Sequence, residues 1–437
     1  MTSAVVMPCK RRKLERHLHG AAIASLFWQF FAGQACAGDW ASIKSGLVAQ
    51  GIQPNIIYNG DTVVVASGGA KPGAIYLGNL HLQLSLDGGA LLGARGLTIY
   101  LDGLNIHGGS PDSFAGDAQG VSNLAAPPDT TLYEAWIQYN FAGSDISVLA
   151  GRYDINSEFD RLRSASLFLN SSFGIGPEFA SSGRAGPSIF PNTALGARLT
   201  YKPAPNIVWR TAIMDGVPVE RPRGSPSLFD NSDGALIVTE LAYLYRPGPA
   251  MPPGQARSMI GRASNLPPYE NKIAVGVWHY TATFNDLSEA IVPGVPVRRH
   301  GSTGAYAIAD VLLYRMADDP KRAVSGFLQA GIGDDRVDRF GSYLGMGIVV
   351  TGLLLSRPSD QVGLAAATGR NGSHFLDAQA RLGMQNTKTE TSVELTYLAQ
   401  VTDWLAVQPN VQYIIHPGTR PNQDNALVFQ LQFETSL

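Results

Sequence analysis

The sequence predicts an all-β fold, a transmembrane antiparallel β-barrel of about sixteen strands. Three observations carry that expectation. Apolar and polar residues alternate with period two along most of the chain, and helical periodicity is nearly absent. Only 16% of the 437 residues are charged, where about 25% is typical of a soluble protein. No fixed internal repeat and no Pro- or Gly-rich linker divides the chain.

The N-terminus reads as a secretory signal over residues 1–37. Lys10, Arg11, Arg12, Lys13 and Arg16 form a basic segment, and "AAIASLFWQFFAGQA" is the apolar segment, ending in Ala35-Cys36-Ala37. A membrane-anchor helix is the alternative, but the run is shorter than the ~20 residues a span needs. A lipoprotein site at Cys36 fits less well, with Gln34 before it. Both cysteines, Cys9 and Cys36, precede the expected cut, so residues 38–437 hold together without disulfides. Those residues are expected to form one barrel domain.

Along that domain about sixteen alternating runs centre near 58, 80, 102, 136, 149, 198, 210, 240, 278, 310, 328, 346, 364, 394, 409 and 431. In "LHLQLSLD" Leu80, Leu82, Leu84 and Leu86 share one face, and His81, Gln83, Ser85 and Asp87 the other. In "LYEAWIQYNF" Tyr133, Ala135, Ile137, Tyr139 and Phe141 oppose Glu134, Trp136, Gln138 and Asn140. In "ALGARLTY" Leu199 and Tyr201 oppose Arg198 and Thr200, and near 210 Arg210 opposes Trp209. "VELTYLA" opposes Val393, Leu395 and Tyr397 to Glu394 and Thr396. "LAVQPNVQYI" opposes Leu405, Val407, Val411 and Tyr413 to Gln408, Asn410 and Gln412. A soluble sandwich or solenoid is the rival reading. It lacks support, because the polar faces are poor in the Lys/Glu mixture of a soluble surface. Aromatics also gather at run ends, as girdles do in membrane barrels.

The connections follow a barrel's rhythm. Those after even-numbered strands are expected to be short periplasmic turns, at 88–95, 142–145, 203–206 and 402–404. Those after odd strands are longer, at 108–130, 154–192, 216–234 and 285–304. The stretch 247–271 breaks the rule and is expected to be an enlarged periplasmic segment. The last run, "LVFQLQFETSL", sets Leu427, Phe429, Leu431 and Phe433 against Gln430, Gln432 and Glu434. A strand there is expected to close the ring against the first one and to present a terminal signal to the barrel-assembly machinery.

Four blocks resemble the carbohydrate-selective porins of the OprB type. They are "GVSNL" at 120–124, "SEFDRLRSASLFLNSSFG" at 157–174, "LPPYENKIAVGVWHY" at 266–280 and "WLAVQPNVQYIIHPG" at 404–418. The resemblance spans about residue 51 to the end, and Q-P-x-x-Q-Y-I-x-x-P is its most specific part. The family often carries Asp where Asn410 stands and Gly where Pro268 stands. The resemblance implies a Gram-negative outer-membrane channel for sugars. The formal charge of −2 (33 Lys and Arg against 35 Asp and Glu) argues against a nucleic-acid partner.

Chemistry of other kinds leaves no motif. The six histidines beyond residue 37 include no H-E-x-x-H pair, and there is no G-x-S-x-G elbow or P-loop. No cofactor or metal is expected. A barrel enzyme stays open as an alternative, as does a general or anion-preferring porin; monomer and trimer both stay open. In general porins the third outer loop folds into the lumen, which places the constriction in 154–192. Expected lining residues there are Glu158, Asp160, Arg161 and Arg163. From the strands come Glu134, Trp136, Arg198, Arg210, Glu240, Gln408, Asn410 and Gln412. Arg198 and Arg210 either face solutes or pair with Glu134 or Glu240. Trp136 either stacks a sugar, with Glu134 accepting a hydroxyl beside it, or packs under the inward segment.

Overall fold

The computed structural model describes residues 34–218, 233–248, 259, 269–288, 297–317, 319 and 322–437. They fall into two units, 1–50 and 51–437. In the first, α1 (Gln34–Ala49) is continuous across the expected cut after Ala37, while residues 1–33 of the expected signal lie outside the described residues. No described helix is long and apolar enough to cross a membrane.

The second unit is a closed antiparallel barrel of sixteen strands. The first eight are β1 (Ile52–Ser67), β2 (Gly73–Asp87), β3 (Leu97–Gly108), β4 (Asp129–Asn140), β5 (Ile146–Tyr153), β6 (Ala194–Ala204), β7 (Ile207–Asp215) and β8 (Ala235–Tyr245). The ring continues through β9 (Asn271–Asn285), β10 (Arg298–Arg315), β11 (Ala323–Ile332), β12 (Phe340–Thr351), β13 (Gln361–Asn371), β14 (Thr389–Thr402), β15 (Leu405–Ile415) and β16 (Ala426–Ser436). Every expected run centre lies inside its own strand. Each strand pairs with its sequence neighbours, and β16 pairs with β1, from Ile57 opposite Ser436 to Ser67 opposite Leu427. Closure satisfies the backbone donors and acceptors of both edges, which hydrocarbon cannot do.

The two faces of the wall separate as alternation requires. Leu82, Ile137, Leu241, Val275, Leu328, Ile348, Leu395 and Leu431 are exposed on the outside. Asp61, Gln83, Glu240, Gln408, Gln412 and Gln432 are buried on the inside. An apolar exterior around a polar interior inverts a soluble protein and suits a lipid surround.

One strand departs from simple alternation. A bulge in β4 sets Glu134 opposite Asp102 and Leu132 opposite Gly103, leaving Tyr133 extra. Tyr133, expected on the outer face, therefore turns inward and is buried; its hydroxyl donates to Asp154. Leu132 takes the outward position at 50% exposure.

The connection between β5 and β6, residues 154–193, is the longest fully described one. Its apolar side chains Ile155, Phe159, Leu162, Phe168, Phe173 and Phe179 are all buried, in one cluster with inward wall residues such as Trp278, Tyr306 and Phe327. Of the long segment between β8 and β9, Met259 and Tyr269 are described and buried. The Met259 N–H donates to Glu434, and the Tyr269 hydroxyl to Asp310. Most of the expected periplasmic segment lies outside the described residues.

Candidate functional site

The 154–193 segment lacks strand partners for most of its length, so its backbone N–H groups need acceptors elsewhere. Inward carboxylates of the wall supply them. Glu134 on β4 accepts from the Asp154 N–H at 3.0 Å. Glu240 on β8 accepts from the Asp160 N–H at 3.0 Å, and the Tyr306 hydroxyl completes that contact. Asp310 on β10 accepts from the Ser164 N–H at 3.0 Å and its hydroxyl at 2.7 Å. Glu394 on β14 accepts from Leu169 at 2.7 Å and Asn170 at 3.0 Å. Four carboxylates from widely spaced strands thus hold successive points of one chain segment.

Amides hold the carbonyl side. Gln329 donates to Phe173 O and Gln408 to Leu167 O, while the Tyr343 hydroxyl donates to Ser172 O. Gln412 and Gln430 both donate to Val121 O in the preceding long connection, residues 109–128. Asn410 donates to Glu394. An Asp in its place would set a second carboxylate against Glu394, so the amide fits this wall.

A second network is ionic. Glu158 lies 2.7 Å from Arg198 Nε and 3.3 Å from Arg210 Nε. Arg198 also donates to Ser147 and Gln138. Arg210 lies 3.8 Å from Glu240, which Lys272 approaches to 3.1 Å. Burial alone would raise the Glu158 carboxyl; the Arg198 and Arg210 charges outweigh it and hold the group below its ordinary range. Two other carboxyls of the segment go the opposite way. Asp160 is pushed up to about 8, by burial first and the Glu240 charge second, with the Gly176 amide and Lys272 opposing. Glu178 rises well above the carboxylate range through burial and the nearby Asp160.

The expected lining residues therefore divide. Glu158, Arg198, Arg210 and Glu240 come together in one ionic network, with Glu240 rather than Glu134 as the wall partner. Glu134, Gln408 and Gln412 fasten backbone, and Asn410 orients Glu394. Trp136 is 2% exposed and stacks on Tyr100 with ring centres 5.0 Å apart, so its indole is covered by Tyr100 and by the cluster that includes Ile155 and Phe159. Arg163 donates its N–H to the Tyr269 hydroxyl, and the Arg161 carbonyl accepts from Lys272.

Open space remains beside the segment. A cavity of about 390 Å³ is lined by Asn59, Asn79, His81, Gln432, Asn123, Asn156 and Arg161, among others. Of the whole lining, Arg161 and Gln408 were anticipated. The signal for the rest was present, since Asn59, Asn79 and His81 occupy the wet phase of β1 and β2. Asn79 is 1% exposed, and its side-chain oxygen has no partner among the described residues. His81 is held by Asp102 at 3.0 Å. No group of three or more metal-ligating side chains occurs among the described residues.

The model of the carbohydrate-selective porin OprB family matches residues 71–437. Porin B of Pseudomonas aeruginosa is 23% identical over 430 residues, covering 91% of this chain and 90% of that protein. The high-pH structure of Pseudomonas putida OprB superposes with a TM-score of 0.78 at 21% identity, covering 91% of this chain and 97% of that one. The low-pH structure of the same protein gives 0.55 at 18% identity, covering 92% and 97%. The protein belongs to the carbohydrate-selective porin family of the OprB type and is a carbohydrate porin of the outer membrane.

Proposed function

We propose that the 154–193 segment folds into the lumen as the constriction and that the amide-lined cavity beside it selects neutral sugars. The observation that carries this reading is the lining itself. Asn59, Asn79, Asn123, Asn156 and Gln432 offer neutral donors and acceptors beside apolar Leu124, Phe168 and Ile175, Asn79 leaves an acceptor oxygen unpaired, and the ionisable lining is limited to His81, Arg161 and Glu434. Sugar hydroxyls both donate and accept, so they match amides without a charge to desolvate. The charged groups nearby are largely engaged with one another, as Glu158 is with Arg198 and Arg210. A general or anion-preferring pore would need those charges turned toward solute.

The family and the barrel point to a channel, and no catalytic role is assigned. The transported solutes are monosaccharides and small oligosaccharides; the wall meets outer-membrane lipid. Residues 1–37 act as a cleaved export signal, and β16 as the strand read by the barrel-assembly machinery. Liposome swelling tests the solute class. Glucose should enter faster than succinate, and Asn79→Leu should slow glucose while leaving succinate unchanged. Equal rates for both solutes in the wild-type protein would refute sugar selectivity.

A further inference from the structure

The outward face of β9 and β10 changes character along its length. On β9 the outward residues run Ile273, Val275 and Val277, then His279, Thr281, Thr283 and Asn285. The register sets Thr303 opposite His279, His300 opposite Thr283 and Arg298 opposite Asn285. A bulge between His300 and Ser302 carries Gly301 at φ +76°, and the His279 ring lies over it; a Cβ there would come within 2.8 Å of the imidazole. The bulge leaves Arg299 bonded to Asp286, with Arg298 and His300 exposed on the outside.

Both imidazoles are oriented by the neighbouring strand. His279 Nδ1 lies 2.8 Å from Thr303 Oγ1, and His300 Nδ1 lies 3.0 Å from Thr283 Oγ1. Each ring thus has Nδ1 engaged and Nε2 left over. Arg298 is exposed and has no hydrogen bond or ion pair among the described residues. Arg184 reaches the same edge, donating to the Thr283 carbonyl at 2.9 Å and lying 3.4 Å from Asp233. The upper part of this strand pair therefore carries two imidazoles and the free guanidinium of Arg298 along one outward face, with Arg184, paired to Asp233, at its edge.

We propose that this face docks the phosphate groups of an outer-leaflet lipid headgroup. Its position favours lipid, because the wall below it is the apolar belt and the patch begins where that belt stops, at the end of the barrel that carries the long connections. Its chemistry favours phosphate. A guanidinium offers parallel donors matched to phosphate oxygens, and the two Nε2 positions add donors on the same face. Basic groups just outside the hydrocarbon are attracted to anionic lipid surfaces.

The test is native mass spectrometry of the detergent-solubilised mature protein with bisphosphorylated hexa-acyl lipid A, and with the same lipid stripped of both phosphates. The wild-type protein should retain the phosphorylated form preferentially. The variant Arg298→Gln/His300→Gln should lose about tenfold in that retention, the loss of roughly one charge-assisted contact. Arg95→Gln, on the turn at the opposite end, should lose none. All three residues are exposed, and unchanged heat-modifiable migration confirms folding. Equal retention of both lipids by the wild-type protein, or undiminished retention by the double variant, would overturn the proposal. Displacement by 20 mM inorganic phosphate would assign the site to free phosphate instead. Loss of an oligomeric species in the double variant, without loss of lipid, would assign the face to a second copy of the chain.

Discussion

Glu394→Ala isolates the way the 154–193 segment is held. The Glu394 side chain accepts from the Leu169 N–H at 2.7 Å and the Asn170 N–H at 3.0 Å, and Asn410 also donates to it. Its removal leaves two buried backbone donors without an acceptor. Each such orphan costs about 1–3 kcal/mol, so the docked arrangement of residues 167–171 should lose roughly 2–6 kcal/mol. The wall keeps its ladders, because β14 pairs with β13 and β15 through backbone groups over most of its length, and of its side-chain bonds to those strands only the one from Asn410 is lost. The variant should therefore assemble and migrate as a heat-modifiable barrel like the wild-type protein. Single-channel recording in planar bilayers should show a larger mean conductance and new flicker as the segment detaches. Glu394→Gln keeps one carbonyl acceptor and should fall between the two. Wild-type conductance and noise in Glu394→Ala, with the barrel correctly assembled, would refute the argument that wall carboxylates fix the segment.

Three further outcomes follow from the same geometry. Trp136→Ala removes a buried indole packed on Tyr100, at a cost of about 3–5 kcal/mol, and should raise conductance for all solutes alike; a loss confined to sugar block would show that the indole meets solute. Arg198→Gln with Arg210→Gln strands the Glu158 charge, which should cost about 3–5 kcal/mol of segment docking and shift ion selectivity toward cations; unchanged reversal potentials would contradict the network. Asp160, raised from 3.8 to about 8, keeps its proton when docked, and Glu178, Glu240, Lys272 and Tyr306 face it. The docked state binds the extra proton, so docking is favoured most below pH 4 and weakens as pH rises toward 8. Open-channel noise should grow between about pH 4 and 8 in the wild-type protein and less steeply in Asp160→Asn, where Glu178 remains; parallel behaviour of the two would exclude Asp160 as a titrating group.

The wall was legible in the sequence because one rule governs it. A strand with lipid on one side and a polar interior on the other must alternate, and each expected run proved to be a strand. The bulge at Tyr133 escaped because inserting one residue changes phase without changing residue type. The site was legible only by composition. Glu158, Arg198, Arg210 and Glu240 were marked as inward-facing, yet their mutual pairing depends on how the 154–193 segment folds. The roles of Asp310 and Glu394 escaped altogether, since Glu394 meets Leu169 only after β14 closes into the ring far from β5. Trp136 was legible as one of two alternatives. Its wet-phase position left two readings, a sugar platform or packing under the 154–193 segment, and the second matches the structure, where the segment's own apolar side chains, Ile155 and Phe159, join the cluster that holds it.

The most direct test of the account is block of single-channel current by added solutes. Glucose, succinate and a neutral amino acid are compared at equal concentration in the reconstituted wild-type protein. A cavity rich in neutral amides and apolar side chains predicts saturable block by glucose, with little or none by succinate or the amino acid. Block by succinate equal to or stronger than that by glucose would contradict sugar selection by this lining.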